Sequence, residues 1–158
     1  MEQEWWKRVA PLTLDREGRW YDQGVRVMSP RLAEFLLAHL GKDEDGRYLV
    51  AVGRDKRYVE VADAPYRALG IEVGGGAEGP QQLLVRLNDG SLEPFDPATF
   101  WIARDRTPYC LVRNRLHKVR FTMESYRQLS AFITAEAETG RYFLQIGSRQ
   151  IPVSAADP

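Results

Sequence analysis

The sequence has one cysteine (Cys110), two histidines (His39 and His117) and no surplus of either charge: Lys and Arg total 22, Asp and Glu total 22, among 158 residues. Each shortage removes a class of protein. A lone cysteine makes no internal disulfide, so the chain is not a disulfide-stapled secreted scaffold and suits a reducing compartment. Two histidines and one cysteine, without His-x-x-x-His or Cys-x-x-Cys spacing, leave no zinc ligand set. A net charge of zero lacks the basic excess with which nucleic-acid-binding proteins neutralise phosphates, and argues against nucleic acid as a partner. No stretch approaches the ~20 apolar residues of a membrane span. The N-terminus, Met1 to Arg8, carries acids and no apolar run of signal length. The expectation is a cytoplasmic protein with no membrane partner and no cofactor.

Apolar residues make up 44% of the chain and charged residues 28%, an ordinary globular balance. Pro11 to Asp15 alternates as a short strand does, and Gly18 to Tyr21 faces Gly24 to Met28 as a hairpin. Ser29-Pro30 then supplies an N-cap and a first-turn proline for a helix reaching about Leu40, with Leu32, Leu36, Leu37 and Leu40 as its apolar stripe. His39 lies where it can satisfy the last carbonyls. Gly46 to Gly53 and Arg57 to Val61 form a second strand pair. Strands over 68–73, 82–87 and 92–95 follow, the last after an Asn88-Asp89-Gly90 turn. Pro108 to Arg113 and Leu116 to Phe121 pair next, and Thr122 caps a helix whose face is Tyr126, Leu129 and Ile133. Gly140 to Gly147 and Ile151 to Val153 end the series.

Letters repeat along this order. Gly46-Arg47-Tyr48 matches Gly140-Arg141-Tyr142, Gly53 matches Gly147, Val59 matches Val153, and Ala62-Asp63 matches Ala156-Asp157, all at one offset of 94 residues. The expectation is an α+β fold of two related halves, each a strand-strand-helix-strand-strand unit, with extra antiparallel strands between them and a cleft at the interface. The boundaries are 1–73 for the first subdomain, 74–80 for a Gly-rich connection and 81–158 for the second subdomain.

Several segments are similar to the bacterial family called domain of unknown function 1285: Gly18-Arg19-Trp20-Tyr21 with Gly24, Ser29 to Leu32, Asp45 to Val50, Val59 to Tyr66, Pro108 to Arg113 and the helix entry from Phe121. The most specific piece is Val59-Glu60-Val61-Ala62-Asp63-Ala64-Pro65-Tyr66. The chain departs from the family pattern at Ala62, and at Gly53-Arg54-Asp55. The resemblance implies two α+β subdomains and a cleft for a small, nucleotide-like ligand, with a role in signalling.

Candidate chemistry is sparse. Gly74 to Gly79 spells G-x-G-x-x-G, but Pro80 and a short apolar run follow where a phosphate-binding helix would have to start, so it reads as a hairpin loop. Cys110 and His117 sit on paired strands, yet alternation puts Cys110 with Val112 on an apolar face, as a buried thiol. This weak pairing is all that speaks for an enzyme, and the reading leans against one. Arg113, Arg115, Lys118 and Arg120 gather on one face if the strands meet at Leu116, with Cys110, Val112, Val119 and Phe121 inward. Four cations together need a negative neighbour: carboxylates, salt or a ligand anion. Arg54, Lys56 and Arg57 make a smaller cluster of the same kind.

The expected activity is non-catalytic binding of a small anionic or nucleotide-like ligand. Arg113 and Arg115 contact its phosphate or carboxylate, with Arg47 and Arg141 beside stacking aromatics such as Trp20 and Tyr48. Asp63 accepts a hydrogen bond from it. The alternative is a protein-interaction module without a small ligand, suggested by the adjacent Trp5 and Trp6.

Overall fold

A computed structural model describes residues 5–75 and 81–155. Their contacts divide the chain into two compact units, Met1–Pro65 and Tyr66–Pro158. Among the described residues, two α-helices accompany two six-stranded sheets and one three-stranded sheet, a mostly-sheet α+β architecture. Among the described residues no helix is long and apolar enough to cross a membrane.

In the first unit a 3-10 turn at Trp5–Arg8 leads to β1 (Leu12–Leu14), β2 (Trp20–Asp22) and β3 (Val25–Arg26). Then come α1 (Pro30–Ala38), β4 (Leu40–Lys42), β5 (Tyr48–Val52) and β6 (Asp55–Val61). The sheet order is β3-β2-β1-β6-β5-β4, antiparallel except where β1 lies parallel to β6. Leu12, Leu14, Trp20, Leu37, Val50 and Val59 are buried and form its core. The Ser29 hydroxyl accepts from Leu32 N at 3.2 Å, as an N-cap does. At the other end His39 Nδ1 lies 2.8 Å from the Phe35 carbonyl oxygen, with the ring N–H as donor. That closure stops α1 at Ala38, so Leu40 opens β4 instead of ending the helix.

In the second unit β7 (Tyr66–Gly74), β8 (Gln82–Leu87) and β9 (Leu92–Pro94) precede a 3-10 turn at Pro97–Thr99. β10 (Trp101–Ile102), β11 (Pro108–Val112), β12 (His117–Phe121), α2 (Met123–Ser130), β13 (Ile133–Ala135), β14 (Tyr142–Ile146) and β15 (Arg149–Pro152) complete it. The larger sheet runs β10-β11-β12-β7-β8-β9, with β12 parallel to β7; β13-β14-β15 is a separate meander. Segment 74–80 joins β7 to β8 with Gly74 opposite Gln82, the geometry of a hairpin, and residues 76–80 lie outside those described.

Thr122 caps α2: its hydroxyl accepts from Ser125 N at 3.2 Å and donates to Ala68 O at 2.8 Å, pinning the helix to β7. Gln128 on α2 accepts from Ile71 N at 2.7 Å beside the register shift between Ala68 and Gly70, so a side chain supplies an acceptor at the bulge. Ile133, expected on the α2 face, belongs to β13.

Helix-plus-meander order recurs in both units. Tyr48, Leu49 and Val50 face Lys42, Gly41 and Leu40, while Tyr142, Phe143 and Leu144 face Ala135, Thr134 and Ile133. Val50 opposes Arg57 as Leu144 opposes Ile151. Ala156 and Asp157, expected partners of Ala62 and Asp63, lie outside the described residues.

Candidate functional site

The β11–β12 connection holds the longest run of left-handed non-glycine residues among the described residues. Arg113, Asn114 and Arg115 take φ of 54, 61 and 64° in succession. A left-handed non-glycine residue costs roughly 1 kcal/mol or more, and only asparagine of the three tolerates it readily. The Leu116 N–H closes the turn onto the Val112 and Arg113 carbonyls, both at 3.2 Å. The alternation expected through residues 113 and 115 is therefore broken: both arginines sit in the turn, off the strand face that carries Lys118 and Arg120. Lys118 stands over the rings of Tyr109 (4.3 Å) and Trp101 (5.9 Å). Cys110, Val112, Val119 and Phe121 are buried, as the alternation predicted.

The turn walls a cavity of about 560 Å³ lined by Glu93, Pro94, Asp96, Leu111, Val112, Arg113, Asn114 and Arg115. Its other wall is β9 and the segment after it. Buried Thr99 ties the two walls together: its hydroxyl donates to Asp96 O at 2.7 Å and accepts from Leu111 N at 3.1 Å. Phe95, Phe100 and Phe121 pack edge-to-face beneath, with centroids 5.5–6.3 Å apart. Such pairs favour a fixed geometry in the core that supports the walls.

Arg113 reaches across to the β8–β9 hairpin. Its Nε donates to Glu93 at 2.7 Å, and Nη2 donates to Asp89 at 2.9 Å and to the Ser91 hydroxyl at 3.0 Å. Buried Tyr66 lies under the guanidinium at 4.8 Å, and the His117 ring meets Tyr66 edge-on at 5.6 Å. Burial acts to lower the Arg113 pKa, but the hydrogen bonds to Asp89 and Glu93 outweigh it and hold it above the ordinary value. For Asp89 burial acts upward, and the bonds from Ser91 and Arg113 win, leaving the carboxyl below its ordinary range. Burial raises the Tyr66 phenol.

Arg115 is held differently. Its side chain is 59% exposed and meets Asp96 Oδ2 at 3.1 Å, while Asp96 Oδ1 caps the 3-10 turn by accepting from Ala98 N at 3.1 Å. An exposed pair of this kind is worth about 0–1 kcal/mol, so Arg115 exchanges partners at little cost. Arg113 is a fixed post, and Arg115 is the movable cation.

The other expected site residues stand elsewhere. Trp20 is buried in the core of the first unit and presents no stacking face. Arg47 lies over the Tyr58 ring at 3.5 Å, and Tyr48 lies under Lys42 at 4.9 Å. Asp63 is half-buried in the bend after β6. All four belong to the first unit. Arg141 is exposed on the β13–β14 hairpin of the second. None of them lines the cavity. In the smaller basic cluster, Arg57 is held by Asp22 at 2.6 Å and by the Ala10 carbonyl at 2.9 Å. Cys110 opposes Val119, not His117, and burial pushes its thiol far up, which leaves no activated nucleophile there. The side chains of Trp5 and Trp6 lie outside what is described.

Sequence reading missed Asp89, Glu93, Asp96 and Tyr66 as partners of the arginines. A signal existed: the stretch from Asn88 to Asp96 carries three acids just upstream of a run with three arginines and a lysine, and salt-pairing between the two was there to be guessed.

Two solved proteins share this architecture. The chain matches a crystal structure of a DUF1285 family protein from Silicibacter pomeroyi with a TM-score of 0.69 and 22% identity, over 96% of this chain and 87% of that one. It matches a second, from Shewanella baltica, with a TM-score of 0.52 and 19% identity, over 71% of this chain and 84% of that one. The sequence matches no family model, and no curated protein matches it. The resemblance to the DUF1285 family seen in the sequence thus holds in three dimensions, as a shared fold.

Proposed function

We propose that the chain is a non-catalytic module that binds a small ligand with an anionic group in the cavity of its second unit. The observation that carries this reading is three successive left-handed residues, two of them arginines, on the wall of a cavity large enough for a metabolite. Strain of this size persists where the surrounding structure holds it, and it gathers at ligand-binding positions. Arg115 meets the anion, and Arg113, tied to Asp89 and Glu93, keeps the turn in place. Leu111, Val112 and Pro94 supply an apolar floor. No lining side chain is aromatic, so the base-stacking part of a nucleotide-like ligand has less support than its anionic part. The equal strand registers of the two helix-plus-meander segments support two related halves.

The test is a thermal-shift titration of the purified protein with small anions and phosphorylated metabolites. A ligand at 100 times its dissociation constant adds about 2.7 kcal/mol of stability, a shift of several degrees in a protein of this size. The expected result is a shift from at least one anion that Arg115→Ala removes. A panel without any shift overturns the reading.

A further inference from the structure

The cavity presents both signs of charge, and this says more about its occupant than the arginines alone. Two cations, Arg113 and Arg115, and two carboxylates, Glu93 and Asp96, line it, with a third carboxylate, Asp89, bonded behind Arg113. A polyphosphate carries several negative charges and would meet no net positive potential there. We propose that the ligand is a small zwitterion, a molecule with one carboxylate and one ammonium on an apolar body, of the α-amino acid kind. The inference rests on the cavity being the binding site.

The parts match that chemistry. The ligand carboxylate takes Arg115, whose bond to Asp96 is exposed and exchangeable. It also meets the Asn114 and Arg115 backbone N–H groups, for which no acceptor occurs in the described structure. When Arg115 turns to the carboxylate, Asp96 Oδ2 is released to accept from the ligand ammonium, while Asp96 Oδ1 remains held by the Ala98 N–H. Glu93 gives one oxygen to Arg113 and has a second oxygen for the same ammonium. The exchange raises the number of ion pairs: the internal Arg115–Asp96 pair opens, and Arg115, Asp96 and Glu93 each face an opposite charge on the ligand. The body of the ligand rests on Pro94, Leu111 and Val112, so an apolar side chain is favoured over a charged one.

A ligand with only one of the two charges leaves either Asp96 or Arg115 without its exchange partner. An unpaired group in a partly enclosed site costs roughly tenfold or more in affinity. The experiment is calorimetric titration of the full chain with matched sets: valine and phenylalanine, their deaminated carboxylates, their decarboxylated amines, and inorganic phosphate.

The expected result is that an amino acid binds at least about tenfold tighter than both single-charge analogues. Asp96→Asn, which keeps the capping oxygen, should narrow the gap between the amino acid and the deaminated carboxylate, and Asp96→Asn with Glu93→Gln should bring the two to similar affinity. Arg115→Ala should abolish binding of both. Phosphate or a bare carboxylate binding as tightly as the amino acid overturns the zwitterion and leaves the anion-binding reading standing. Amine binding that survives Arg115→Ala also overturns it. Silence from every probe overturns both readings.

Discussion

Asp89 illustrates how charge is managed one side chain at a time. It is mostly enclosed, yet two bonds to Ser91 and one from Arg113 keep it ionised below the ordinary carboxylate range. A carboxyl whose folded pKa is depressed stabilises the fold above its unfolded value of ~3.9, and the contribution is lost as pH falls through the folded value. Asp89→Asn should therefore lower the urea midpoint at pH 7 by the equivalent of about 1 kcal/mol. It should also flatten the loss of stability below pH ~4 relative to the parent. Urea titrations from neutral to acid pH check both. A variant with the parental acid profile would mean that Asp89 takes no part in holding Arg113.

Among the described elements, the β11–β12 turn departs furthest from what its letters favour. Asn114 at φ 61° is exposed, and its side chain makes no hydrogen bond among the described residues, so Asn114→Gly removes strain and little else. The expected gain is about 0.5–1 kcal/mol, read as a higher melting temperature with unchanged spectra. Loss of stability instead would show that the asparagine side chain holds the turn.

Legibility in the sequence follows the range of the interaction. The caps at Ser29 and Thr122 and the hairpins were readable because their partners lie within a few residues. β10 has two residues, too few for alternation to show, and β4 and β13 follow their helices so closely that Leu40 and Ile133 continue the helical apolar stripe. The carboxylate partners of Arg113 and Arg115 lie 19–24 residues upstream and are brought to them by a sheet in which β9 and β11 are not neighbours. The left-handed run was hidden because Arg-Asn-Arg contains no glycine to announce it. Of the site, the two arginines were legible as cations; their division into a fixed post and a movable partner was not.

For the whole molecule, balanced charge has a colloidal consequence. With 22 charges of each sign and an isoelectric point near 6.7, long-range repulsion between copies vanishes just below neutral pH. Solubility should pass through a minimum near that pH and rise on either side, which light scattering across a pH series will show. A flat profile would mean that hydration or local patches govern association.

The two parallel pairings also set a timetable for the chain leaving the ribosome. β1 finds β6 once Val61 has emerged, and the first sheet is then complete. β7 pairs early with β8 along one edge, but its other edge waits for β12, whose last residue is Phe121. At about 5–20 residues per second, that edge stays open for seconds after the first unit has closed. During that interval a finished unit travels beside an unfinished one with unpaired backbone groups on show. The order in which the strands were written thus makes the middle of synthesis, and neither its start nor its end, the moment when a chaperone is most useful to this protein.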